Sequence, residues 1–82
     1  MLITREVLKE LIMESLAELG GSGRIIDVCK LIWEKYETEL RRSGDIFYTW
    51  QYDLRWAGQE LRKEGKIGLE TRRGPWILCS GN

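Results

Sequence analysis

Apolar residues recur every three or four positions over much of the chain and every second position near its end. Leu8, Leu11, Ile12, Leu16 and Leu19 repeat at helical intervals, with Lys9, Glu10, Glu14 and Glu18 on the other side. Thr4 is a suitable N-cap, because its hydroxyl can accept from an unpaired backbone N–H. Ile3 and Leu8 stand at the spacing of a hydrophobic staple, and Gly20 is a natural stop. A second helix is expected from about Ile26 to Arg42, with Val28, Leu31, Ile32 and Leu40 on one face and Trp33 and Tyr36 beside it. Asp27 at its start and Arg41-Arg42 at its end complement the helix dipole. Ser43-Gly44-Asp45 breaks the pattern. Ile46, Phe47 and Tyr48 lead into a third helix, with at least one of them packing inward. Thr49 is its most plausible cap, with Asp45 as an earlier alternative.

In the third helix Trp50, Leu54, Ala57 and Leu61 define a buried stripe at spacings of four, three and four. At 100° per residue, Tyr52, Arg55, Gln59 and Lys63 then point away, flanked by Gln51 and Arg62 on one side and Trp56 on the other. Gly58 costs the helix about 1 kcal/mol relative to alanine and suggests close approach of a neighbouring backbone. Gly65 ends the helix. Residues 66–70 and 75–79 read as an antiparallel pair around the basic tip Thr71-Arg72-Arg73-Gly74. Ile67 and Leu69 share one face, as do Trp76 and Leu78. Gly20-Gly21-Ser22-Gly23 reads as a flexible turn, and Arg24-Ile25 as a short strand pairing with the hairpin. The expected fold is therefore α+β: a winged helix-turn-helix of three helices, a short strand and a C-terminal β-hairpin, forming one domain over residues 1–82.

Composition narrows the function classes. Eighty-two residues suffice for one small core. No run approaches the roughly 18 apolar residues of a membrane span, and Met1 leads into an amphipathic helix and not an apolar tract, so the expected location is cytoplasmic. The chain has no histidine, which removes Ser-His-Asp and Cys-His nucleophile systems and histidine-ligated metals. Cys29 and Cys79 are too few and too separated for a structural zinc site, and read as small apolar residues. No phosphate-binding loop is present, since neither glycine cluster is closed by Gly-Lys-Ser/Thr. The expectation is a protein without catalysis, cofactor, metal or small-molecule substrate.

The formal net charge is zero, which argues against a strong nucleic-acid binder. The distribution partly answers this. Residues 1–49 hold seven basic and nine acidic side chains, a sum of −2, whereas residues 50–82 hold six basic and four acidic, a sum of +2.

The chain resembles the N-terminal winged-helix domain of Mrr-type restriction proteins over nearly its whole length. The resemblance rests on Leu16-Ala17-Glu18-Leu19-Gly20-Gly21, on Trp50 followed by Leu54-Arg55-Trp56-Ala57, on Leu61-Arg62-Lys63-Glu64-Gly65, and on Arg73-Gly74-Pro75-Trp76-Ile77-Leu78. It implies a DNA-contacting module of the kind placed before a separate nuclease domain. The sequence ends at Asn82 without the acidic-plus-lysine cluster of such a nuclease, so the implied role is binding and not cutting. Ile77 and Cys79 depart from the family, which carries polar residues on that strand face.

These readings give the third helix to the major groove of double-stranded DNA, with Arg55 matched to guanine and Gln59 to adenine. Gln51 and Arg62 would also address the groove, and Tyr52 either groove or phosphate. Lys63, Lys66, Arg72 and Arg73 would address phosphate. A solvated polar helix face is the plain alternative, and for Arg72 and Arg73 a polar turn that resists aggregation. Trp56 stacks on a nucleic-acid sugar or packs against the first helix or hairpin, the latter being commoner. Asp53, Glu60 and Glu64 in the same region oppose DNA binding. Ile77 and Cys79 give an apolar strand face that needs cover, from the chain's own N-terminus or from a second protomer, and so support a different class of function, a protein-interaction or homodimerisation module.

Overall fold

The computed structural model describes residues 2–69 and 74–79. These form three helices and a three-stranded antiparallel sheet, in the order α1 (Arg5–Glu18), β1 (Ser22–Gly23), α2 (Ile25–Arg41), α3 (Ile46–Lys63), β2 (Ile67–Leu69) and β3 (Trp76–Leu78). The α+β expectation and the order of elements agree with this.

Helix α1 starts as the sequence suggests. The Thr4 hydroxyl accepts from the Val7 N–H at 3.2 Å. Ile3, Leu8, Leu11, Ile12 and Leu16 are buried together in the core. The Ile3 N–H also donates to the Ser43 hydroxyl at 2.8 Å, tying the start of the chain to the α2–α3 turn. Leu19 departs from the expected stripe: it is the C-cap and is 37% exposed. Gly20 follows with φ +88°, and the Gly21 N–H reaches back to the Leu16 carbonyl at 2.8 Å, closing a Schellman motif. The same geometry ends α3, where Gly65 has φ +76° and the Lys66 N–H donates to the Leu61 carbonyl at 3.0 Å.

Four local expectations need correction. The first strand is Ser22–Gly23, not Arg24-Ile25, so residues 20–23 are only partly a turn. Ser22 pairs with Ile77 and Gly23 with Trp76, while Arg24 occupies the N-cap position of α2 and binds Asp27 through both its Nε and an Nη. Helix α3 starts at Ile46, because Ile46 and Phe47 extend its inward stripe by a turn. Thr49 is therefore inside the helix, where its hydroxyl donates to Asp53 at 2.8 Å. Helix α2 carries a non-helical residue at Tyr36 (φ −125°, ψ 19°), whose hydroxyl donates to the Glu14 carboxylate of α1 at 2.9 Å. Finally, Gly58 makes room for a side chain and not a backbone. A Cβ there would lie 2.4 Å from Cζ2 of the Trp76 indole.

Strand β3 is central, with β1 and β2 on either side. Leu69 faces Trp76, Gly68 faces Ile77 and Ile67 faces Leu78. Ile67 and Trp76 are buried and Leu69 and Leu78 half-buried against the helices, so the expected inward face is correct. The outer face carries Ile77 and Cys79, both exposed. Its cross-strand neighbours at Ile77 are Ser22 and Gly68, which add almost no apolar area. Among the described residues no helix is long and apolar enough to cross a membrane.

Candidate nucleic-acid interface

The buried stripe of α3 orients everything else on that helix. Trp50, Leu54, Ala57 and Leu61 are 5%, 0%, 0% and 1% exposed. The remaining side chains fall into a crest opposite the stripe and two flanks. Tyr48 and Tyr52 stand on the crest at 83% and 78% exposure, with Gln59 and Lys63. The sequence-derived site residues Gln51, Tyr52, Arg55, Gln59, Arg62 and Lys63 are all exposed, and so is Lys66 just beyond the helix. Arg72 and Arg73 lie outside the described residues.

One flank faces α2 and the hairpin. Gln51 and Arg55 share a groove with Ile25, Ile26, Cys29 and Lys30 of α2. Arg55, Gln59 and Arg62 share a smaller cleft with Leu69, Gly74 and Trp76 of the sheet. Among the described residues, no carboxylate pairs with Lys30, Arg55 or Arg62. Lys30 was not singled out by the sequence, because its proximity to Arg55 depends on how α2 crosses α3.

The other flank faces α1, and here lie the acidic residues that counted against DNA binding. Asp53 is 3.5 Å from the Arg5 guanidinium and accepts the Thr49 hydroxyl. Glu64 pairs with Lys9 and, at 3.5 Å, with Lys66. Glu60 pairs with Lys63 at 3.2 Å. The hydrogen bond from Lys9 holds the Glu64 carboxyl below its ordinary value. Arg5 also lies over the Trp56 ring, 4.0 Å from its centroid. Trp56 thus packs against α1, and its ring is covered by Arg5 on that side.

The geometry brings Gln51, Arg55, Gln59 and Arg62 into one continuous surface from α2 to the sheet. Lys63 and Lys66 stand at its edge and share their charge with Glu60 and Glu64. These two are exposed pairs, which are weak in water, so a phosphate can compete for either lysine. Burial raises the Cys29 thiol above its ordinary value, and the nearby Arg55 charge acts against that rise. Among the described residues, no group of three or more His, Cys, Asp or Glu side chains is placed to hold a metal ion.

Comparison with protein-family models, with curated proteins and with solved structures finds no match.

Proposed function

We propose that the chain is a non-catalytic winged-helix domain that binds double-stranded DNA, with α3 in the major groove and the β2–β3 hairpin along the backbone. The observation that carries this reading is the sorting of charge about α3. Its carboxylates sit on the α1 flank and are paired there. Its arginines stand on the opposite flank, exposed and without an acidic partner among the described residues. A zero net charge therefore coexists with a locally basic face, and local potential is what a phosphate backbone meets. Arg55 and Gln59 have the side-chain chemistry for bidentate contact with guanine and adenine. Gln51, Arg62 and Tyr52 extend the same face, and Lys63, Lys66, Arg72 and Arg73 supply phosphate contacts. The arrangement is compatible with the Mrr-type N-terminal domain that the sequence resembles, and that module contacts DNA.

A titration of a labelled duplex in low salt, followed by anisotropy, tests the proposal. Saturable binding is expected with a dissociation constant of about 10⁻⁴–10⁻⁶ M or tighter. No association at roughly 0.1 mM protein would refute it, because even nonspecific duplex binding is visible there. A protein-interaction module remains the second reading, and Ile77 at 37% exposure is the observation that favours it. Sedimentation at high concentration tests its homodimer form: Ile77→Ser abolishing a dimer would support it, and a clean monomer of the unaltered chain would remove it.

A further inference from the structure

A groove between α2 and α3 has a volume of about 830 Å³. Ligand sites for small organic molecules commonly occupy about 300–1,000 Å³. The walls divide by chemistry. Trp33, Phe47 and Trp50 supply an aromatic side, and Ile25, Ile26 and Cys29 an aliphatic one. The Trp33 and Trp50 rings are close to parallel, 5° apart with centroids separated by 6.3 Å. Two cations, Lys30 and Arg55, and the Gln51 amide complete the lining, and no carboxylate contributes to it among the described residues. Asp27, one turn before Lys30, is held by Arg24 through two hydrogen bonds. Ile26 stands over this region 52% exposed, a large apolar side chain left in water.

An aromatic wall favours planar rings, since stacked and edge-on aromatic pairs contribute beyond the area they bury. Among the described residues neither cation has a carboxylate at ion-pair distance, although Asp27 lies within coulombic reach of Lys30. Two such cations select a negative charge, and a guanidinium beside an amide suits a planar carboxylate. We propose that the α2–α3 groove is a binding site for small planar aromatic anions, the ring system against Trp33, Phe47 and Trp50 and the carboxylate between Lys30 and Arg55. The site does not rest on the DNA reading, since the groove and its cations suffice for it, but it shares Gln51 and Arg55 with the proposed duplex face.

The test uses the ¹⁵N-labelled full chain, titrated to millimolar concentration with naphthalene-1-carboxylate, neutral naphthalene-1-methanol and cationic 1-naphthylmethylamine. The carboxylate should shift the amides of Ile25, Ile26, Cys29, Lys30, Gln51 and Arg55 together in a saturable way. The neutral probe should bind about tenfold more weakly, the usual scale for losing a charged hydrogen bond, and the amine more weakly still. Lys30→Gln should lower carboxylate affinity by a similar factor while leaving the neutral probe unchanged. Ile26→Glu, a change at an exposed position, should abolish carboxylate binding and spare the fold, as the unperturbed remainder of the spectrum would show. Equal binding of all three probes would overturn the proposal, as would shifts centred elsewhere or no shift at millimolar carboxylate. It would also fall if a DNA duplex moved these amides and naphthalene-1-carboxylate did not, since the groove would then belong to the duplex footprint.

Discussion

The two flanks of α3 are built from similar numbers of charged side chains, yet they present opposite surfaces. On the α1 flank every carboxylate of the helix meets a cation: Asp53 with Arg5, Glu60 with Lys63, Glu64 with Lys9 and Lys66. On the α2 and hairpin flank, Arg55 and Arg62 meet glutamine, glycine and apolar neighbours. The difference arises from which element lies alongside. Helix α1 brings basic residues to the acidic flank, whereas α2 brings Lys30 to the basic one. Net charge is blind to such sorting, and a chain summing to zero can still offer a basic face.

The strongest way to break the comparison is to reverse the charge of one flank. Arg55→Glu with Arg62→Glu should weaken duplex binding by at least about 100-fold in low salt, given the dominance of phosphate electrostatics. Its circular dichroism should stay unchanged, because both side chains are exposed. Retained affinity would remove that flank from the interface. The second prediction concerns the packing that fixes the sheet beside this flank. Gly58→Ala should lower stability to urea by up to about 2 kcal/mol, because overpacking costs roughly 1–3 kcal/mol and better helix propensity returns about 1 kcal/mol. The Trp76 ring that the new Cβ meets is buried, so it has little room to give way. A stabilised variant would contradict the close packing of α3 on β3.

Smaller effects sharpen the other flank. Glu64→Gln should leave duplex affinity within about twofold and make only a small change in stability, as exposed pairs do. The sign of its pH dependence follows from the Lys9 hydrogen bond, which depresses the Glu64 pKa in the folded state. Its contribution is present above the unfolded-state value of about 4.3 and is lost as pH falls through the lower folded value. Acid unfolding of the unaltered chain should accordingly steepen below about pH 4.3, and Glu64→Gln should flatten that limb. An unchanged acid limb in the variant would show that the Lys9 pair does not persist in solution.

Much of this frame was legible in the sequence. The four-three-four spacing of Trp50, Leu54, Ala57 and Leu61 placed the buried stripe correctly, and with it the exposed residues. Thr4, Gly20 and Gly65 marked helix ends through local backbone chemistry that needs no tertiary context. Strand β1 was not legible, because two residues, Ser22 and Gly23, have no period and pair only by virtue of β3. The start of α3 was ambiguous because Asp45 and Thr49 are both capping residue types, and the packing of half-buried Ile46 and Phe47 against the core decided between them. Ion-pair sorting was the least legible feature. Lys9 and Glu64 lie 55 positions apart, so their meeting depends on α1 settling beside α3. The acidic residues of α3 counted against DNA binding in sequence, where their cation partners could not be seen.

The most direct test compares two variants of equal charge loss on opposite flanks: Arg55→Gln with Arg62→Gln, and Arg5→Gln with Lys9→Gln. Duplex affinity is measured across a salt series for each and for the unaltered chain. The first pair should flatten the log–log slope by about 0.9 for each phosphate no longer neutralised, up to about 1.8, while the second leaves it unchanged. Equal flattening by both pairs would mean that duplex binding follows total charge and not one face of α3, and would contradict the account.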